Sequence, residues 1–121
     1  MKVIEAIERC DSLKPNTYSQ EAKFGWLAEL DGMIHTNIIM THEHTEEQET
    51  LPAEYTGDTE LLVHSPYDSI YTAWHQVKID FYNGEIGRYN NSKVAYNDAL
   101  SEFERYYNRT HMPLGRNMKY F

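Results

Sequence analysis

Residues 65–112 read SPYDSIYTAWHQVKIDFYNGEIGRYNNSKVAYNDALSEFERYYNRTHM, and this stretch decides the fold. Tyr67, Ile70, Trp74, Val77 and Phe81 recur at steps of three and four, the spacing of a helix with one core-facing seam in which Trp74 and Phe81 are anchors. Ser65 at the N-cap, Pro66 at the first helical position and Asp68 three residues past the cap give its start. Asn83, Gly84 and Gly87 weaken this helix, and Asn90, Asn91 and Ser92 offer capping groups to the next. A last helix is predicted from about Ser92 to Arg109, burying Ala95 or Tyr96, Ala99, Phe103 and Tyr106. Pro113 and Gly115 set its end. Seven of the ten tyrosines fall in these two helices and their joint, with one tryptophan, two phenylalanines, five asparagines and no cysteine. Tyrosine and tryptophan supply large, stiff contact area with one polar tip, and asparagine satisfies backbone where a helix starts or stops. The composition is that of a surface built to grip another surface.

Working outward, Leu61, Leu62 and Val63 fit a short extended piece. Before them, residues 41–60 (THEHTEEQETLPAEYTGDTE) lose all periodicity, are strongly acidic and are broken by Pro52 and Gly57. A loop this long is uncommon in a small domain unless it is functional or disordered, so it is expected to be a mobile projection that orders against a partner. Leu27, Leu30, Ile34 and Ile38, flanked by Phe24, Met33 and Ile39, predict a preceding helix with a broad apolar face. Ser19 is its N-cap, with Glu21 in the first turn. Gly25 and Gly32, seven apart, mark either close helix contact or local tolerance of two weak residues. Val3, Ile4, Ile7 and Cys10 predict a short first helix from Lys2 to Asp11, ended by Lys14, Pro15 and Asn16. The tail, residues 114–121, carries Met118, Tyr120 and Phe121 without a period and is expected to be docked on a neighbour or disordered. The fold class is all-α: one helical domain over residues 1–121, a small bundle of four main helices with a long acidic loop between the second and third.

Charge placement narrows the function classes. The net charge is -8, and between Phe24 and Val77 there are ten acids and no Lys or Arg, whereas residues 78–121 hold seven bases and five acids. That division argues against wrapping nucleic acid, where neutralised phosphates provide most of the affinity. An acidic face instead repels a DNA backbone, keeping a duplex mobile inside a pore, or meets the basic C-terminal third of another copy. A solvated loop that maintains solubility is the plainer alternative. Acids interrupt the apolar residues after Met1 and Lys2, so neither a signal peptide nor a membrane-spanning helix is expected. The lone Cys10 excludes an intramolecular disulfide framework and reads as a buried structural thiol suited to a reducing cytosol.

No catalytic, cofactor-binding or metal-binding set is predicted. His35, His42 and His44, with Glu43, Glu46 and Glu47 nearby, are the one plausible metal cluster, but H-E-H lacks the four-residue spacing that places two histidines on one helix face. Exposed histidines on an acidic loop are the preferred reading. The calcium-loop order D-x-D-x-D-G is missing, as are the nucleophile-elbow and phosphate-cradling glycine motifs. Glu46, Glu47 and Glu49 read as solvated rather than as buried acid–base pairs. His64 and His75 flank the third helix without an assignable base and read as structural.

The run IDFYNGEIGRYNNS at 79–92, followed by YYNRTHMP at 106–113, resembles a family of small proteins of tailed bacteriophages and prophages. These are encoded among the head genes and look like head–tail connector (adaptor, or head-completion) proteins. SLKPNTYS at 12–19, WLAELDG at 26–32, and LLV with PYD within 61–68 fit the same pattern in order. The resemblance implies a subunit of a homo-oligomeric ring beneath the portal protein. It would extend a channel through which DNA passes without specific recognition and dock the next neck or tail protein. It also implies a virion location after a stage in the host cytoplasm, compatibility with a monomer in isolation, and no catalytic residues, cofactor or membrane. The matching positions Tyr89, Asn90, Asn91, Tyr107, Asn108 and Arg109 become candidates for holding the helix joint and its contacts in register, with capping and packing inside the subunit as an equal alternative. An acidic DNA-mimic inhibitor of a host DNA-binding protein, using the basic-free stretch as a phosphate track, is the rival from another class.

Overall fold

The computed structural model describes residues 1–114, and helices form where the three-and-four apolar spacing runs. Over the described residues the fold is all-α, with four main helices. α1 (Val3–Leu13) buries Val3, Ala6, Ile7 and Cys10. α2 (Gln20–Ile34) starts where its sequence predicts, with Ser19 Oγ accepting from the Ala22 N–H at 3.1 Å. A wide turn of π type, His35–Ile39, continues it, and the extra residue lets Ile38 and Ile39 both point inward. α3 (Ser69–Tyr82) lies between α1 and α2 on one side and α4 (Ile86–Thr110) on the other. Val3, Ile7, Leu27, Leu30, Ile34, Leu61, Val63, Ile70 and Ile79 are each at most 1% exposed. Burial of each such side chain contributes about 1.5–3 kcal/mol relative to exposure.

The central position of α3 explains where the helix pattern held and where it failed. The expected seam is present and faces α4: ring centroids are 4.6 Å apart for Tyr67 and Tyr106, 4.9 Å for Trp74 and Tyr96, and 5.7 Å for Phe81 and Tyr89. These pairs make α3 and α4 antiparallel. A second face, Tyr71, His75 and Ile79, is also buried, against α1 and α2. Phe81, expected as an anchor, is 57% exposed, because only the first turn of α4 stands opposite it. The start of α3 is Asp68 rather than Ser65: residues 64–67 form a turn, with the Tyr67 N–H on the His64 carbonyl at 3.0 Å.

The joint between the two helices is shorter than predicted. Gly84, at φ +73°, takes the left-handed conformation that a side chain disfavours. The Glu85 N–H donates to the Asp80 carbonyl (3.1 Å) and the Gly84 N–H to that of Phe81 (3.1 Å), satisfying the last carbonyls of α3. The chain reverses in three residues, so α4 begins at Ile86. Asn90, Asn91 and Ser92 are therefore interior helix residues and not caps. The residues α4 buries are Tyr96, Phe103 and Tyr107, whereas Tyr106 is half-buried and Ala95 is exposed.

Residues 41–60, expected to project, lie along the body. The first N–H groups of α1 have no intrahelical acceptor. The carbonyls of Thr59 and Gly57 supply them, taking the Val3 and Ile4 N–H groups at 3.0 Å each. Leu61 then pairs with Met1 (N–H to carbonyl, 3.0 Å), and Leu61 and Val63 are buried instead of forming a strand. At the other end, residues 41–43 meet 112–114 as a short antiparallel pair: the Glu43 N–H is on the Met112 carbonyl (2.8 Å) and the Leu114 N–H on that of Thr41 (2.9 Å). Among the described residues no helix is long and apolar enough to cross a membrane. The expectation for the tail falls on residues 115–121, which lie outside the described residues, apart from Leu114, which is 47% exposed.

Candidate interaction surface

The α3–α4 joint carries apolar side chains to its tip, where the described fold leaves them open. Phe81 is 57% exposed, Tyr82 54% and Ile86 75%, and Leu13, at 70%, shares a hollow with Asn83, Glu85 and Arg88 beside the same joint. The rings there form one belt. Tyr18 meets Trp26 edge-on at 5.5 Å, Trp26 stacks on Tyr82 at 5.7 Å, Tyr82 meets Phe81 at 5.2 Å, and Phe81 meets Tyr89 at 5.7 Å. The Tyr18 hydroxyl donates to Asn83 Oδ1 at 2.5 Å, tying the belt to the joint. Rings already held by one another lose little rotamer freedom on docking, which favours binding by aromatic faces. Beside the belt is a cleft of about 290 Å³ lined by Trp74, Val77, Phe81, Tyr89 and Tyr96. Lys78 sits 4.7 Å above the Trp74 ring and Lys93 5.6 Å above that of Tyr89, so cationic groups frame the apolar floor.

The six residues singled out in the sequence all lie on α4, but in two separate groups. Tyr89, half-buried, belongs to the belt, and Asn90 and Asn91 are exposed beside it. Eighteen residues on, about 27 Å along a helix, Tyr107 is buried against Phe103 at 5.6 Å, stacked on His111 at 3.8 Å and edge-on to His42 at 5.1 Å. Asn108 Oδ1 lies 2.6 Å from His42 Nε2, holding residues 41–43 against the end of α4. Arg109 is exposed. Tyr89 contacts Phe81 across the joint. Tyr107 and Asn108 organise the opposite end.

Sequence reasoning missed Asp31, Tyr55, Tyr71 and Asp80, and it placed His75, read as structural, beside the third helix where it lies buried in the middle of α3. Asp31 is fully buried and accepts from the hydroxyls of Tyr71 (2.6 Å) and Tyr55 (2.7 Å) and from the Leu62 N–H (3.3 Å), while the Tyr71 hydroxyl accepts from the Val63 N–H (2.7 Å). Burial raises the Asp31 carboxyl above its ordinary range against the pull of those hydrogen bonds, and burial followed by the Asp31 charge raises both tyrosines. The network ties residues 55–63 to α2 and α3. His75 is fully buried edge-on to Trp26 at 5.3 Å, with no partner at either ring nitrogen among the described residues. Burial pulls its pKa down to about 4, which leaves it neutral at pH 7. Asp80 is met by the Lys14 ammonium on one oxygen and the Ser92 hydroxyl on the other. The available signal was position: Asp31 falls four after Leu27 and three before Ile34, and His75 four after Tyr71 and four before Ile79, each on an apolar stripe.

Burial pushes the Cys10 thiol up to about 12, so no thiolate is available. His35 Nε2 faces the Gln48 carbonyl (2.8 Å), His42 Nδ1 that of Ile38 (2.7 Å) and His44 Nδ1 that of His42 (2.7 Å). Each ring is thus engaged by backbone, and among the described residues no three potential ligands converge on a metal position. The acidic segment leaves Glu43, Glu46, Glu47 and Glu54 exposed without an ion-pair partner among the described residues. Its other end is neutralised, with Glu60 on the N-terminal ammonium (3.3 Å) and Asp58 near Lys2 (3.9 Å), and Glu29 on α2 meets Lys78 (2.8 Å). No family model, curated protein or solved structure matches this chain.

Proposed function

We propose that this chain is a structural subunit of the head–tail neck of a tailed phage, a ring component that joins the portal to tail proteins and extends the DNA channel. The observation that carries the reading is the open aromatic tip of the α3–α4 joint, where Phe81, Tyr82 and Ile86 stand more than half exposed. A contiguous face of pre-packed rings on a small domain is the anatomy of a binding hot spot. The tip also lies within residues 79–92, the stretch that carries the resemblance to connector proteins. Ring closure needs heterologous contact, one face of a subunit against a different face of the next. An aromatic tip on one side and an acidic flank on the other supply two unlike faces. Exposed Glu43, Glu46, Glu47 and Glu54 suit a surface that leaves DNA mobile.

The test is capture by the portal protein encoded in the same genome. The wild-type chain is expected to copurify with it. A triple variant, Phe81→Ser, Tyr82→Ser and Ile86→Ser, is expected to lose capture at least tenfold while keeping its helical circular dichroism. Equal capture of both, or a complete neck in virions lacking the chain, would remove this reading. The DNA-mimic alternative draws less support, because the pairing of Glu29, Asp58 and Glu60 with cations interrupts the phosphate-like track.

A further inference from the structure

We propose that the lysine-framed cleft between α3 and α4 receives residues 49–54, ETLPAE, of a second copy of this chain, so that copies join head to tail. The inference rests on the reading of the chain as a ring subunit, and it names the contact between copies. The cleft selects its occupant by charge. Its floor is aromatic, with Trp74, Tyr89 and Tyr96, and its charged lining residues are Lys78 and Lys93; among the described residues no acid lines it. Lys78 is shared with Glu29 on α2, whereas Lys93 is exposed over the Tyr89 ring and has no ion-pair partner among the described residues. Such a cleft fits an apolar centre with a carboxylate to either side.

Residues 49–54 carry that pattern: Leu51, Pro52 and Ala53 stand between Glu49 and Glu54. Glu49, Pro52, Ala53 and Glu54 are exposed, and Leu51 is half-buried. Proline enters with its φ already fixed, so it loses little freedom when it docks on an aromatic floor. Complementary charge then sets which surface meets which. A chain does not fill its own cleft with this segment, because both flanks are anchored elsewhere. Gln48 shares a hollow with Tyr106, about 26 Å along α4 from Tyr89. The Tyr55 hydroxyl is held by Asp31, which also accepts from Tyr71 on the face of α3 turned toward α1 and α2. Segment and cleft are therefore separate, unlike surfaces of one subunit. Pairing one with the other gives the heterologous contact that closes rings.

Charge reversal tests the pairing. Sedimentation of the full chain up to millimolar concentration is expected to show self-association, weakened at least tenfold by Lys93→Glu and by Glu54→Lys, both at exposed positions. Each variant alone sets like charges against each other. In an equimolar mixture of the two, every cleft can meet a segment of opposite sign, so association should return. Carbodiimide, which couples an amine to a carboxylate, should link Lys93 to Glu49 or Glu54 between isotope-labelled and unlabelled copies. A mixture as weak as its components, or links confined to single chains, would overturn the inference. A wild type that stays monomeric would overturn it too, leaving the cleft to a different protein with an acid-flanked apolar segment. Capture by the portal through the Phe81 tip is a separate measurement. A captured but monomeric chain would discard this contact and keep the neck reading, whereas restored pairing without capture would remove the neck reading alone.

Discussion

Around Asp31 the bundle buries charge, and around Phe81 it exposes aromatic carbon, although both residues sit on helices read as core-facing. Asp31 is 0% exposed and Phe81 57%. At the Asp31 end, α2, α3 and residues 55–63 converge, and the crossing segment delivers a tyrosine hydroxyl and two N–H groups to a site that already holds Tyr71. At the Phe81 end, α3 and α4 terminate together, and the far side is solvent. Residue type did not decide which side chain was covered. The number of chain segments arriving at each place did, and the open end is where another molecule can complete the layer.

Replacing Asp31 by Ala should break the buried end with the largest effect. Two tyrosine hydroxyls and the Leu62 N–H would lose their acceptor in an interior site, at a cost of roughly 3 kcal/mol or more. Asp31→Asn retains one acceptor oxygen and should lose less. Urea unfolding measures both, and a loss below about 1 kcal/mol for the alanine variant would mean that residues 55–63 are held by something else.

His75 gives the next effect, through pH. Its folded pKa is lowered by burial to about 4 from an ordinary 6.5, so between these values the unfolded chain binds the proton and the folded chain does not. Stability therefore rises with pH from about 4 to 6.5, and the shift corresponds to on the order of 3 kcal/mol. His75→Leu should flatten that rise. Asp31 works in the opposite sense: its raised carboxyl pKa favours the folded state at low pH and withdraws that contribution as pH climbs above 3.8. The His75→Leu difference isolates the histidine, and an unchanged pH slope would show that its ring is not held neutral.

How much of this was legible follows from the same contrast. The four helices, the Ser19 cap and the α3 seam are local patterns and could be read directly. The second buried face of α3 could not, because a helix covered on two sides loses the clean period that marks one covered side. Residues 41–60 read as a projection because their order comes from backbone pairing with the ends of α1 and α4, which leaves no side-chain rhythm. The start of α4 was placed six residues late because Asn90, Asn91 and Ser92 look like caps. The actual stop signal was Gly84, which closes α3 and lets α4 begin at once. Of the six interface or helix-joint candidates, Tyr89 lies in the aromatic belt and Asn90 and Asn91 beside it, while the exposed Phe81 next to it was hidden by its place on the three-and-four seam, which reads as core.

The glycines sharpen the comparison with a smaller, signed effect. A methyl group added at Gly25 or Gly32 would meet nothing within 4 Å, so local tolerance, not close helix contact, accounts for both. Gly25→Ala with Gly32→Ala should stabilise the chain by about 1–2 kcal/mol in total, since alanine restricts the unfolded chain at no packing cost. Gly84→Ala should go the other way by about 1–2 kcal/mol, because its φ of +73° crowds a side chain. Chemical unfolding of the three variants tests the signs. A destabilising Gly25→Ala would point to a contact made on that face in solution.

The smallest effect on stability belongs to Phe81. More than half of its surface already meets water, and its ring pairs with Tyr82 and Tyr89 at the open end. Phe81→Ser should therefore cost less than about 1 kcal/mol by area. A core anchor cut to the same size would cost about 3–5 kcal/mol. If the aromatic tip is an interface, that nearly silent change should still weaken association with the portal at least tenfold. The two measurements belong together: a large stability loss would return Phe81 to the core, and unchanged association would leave the exposed rings without a partner.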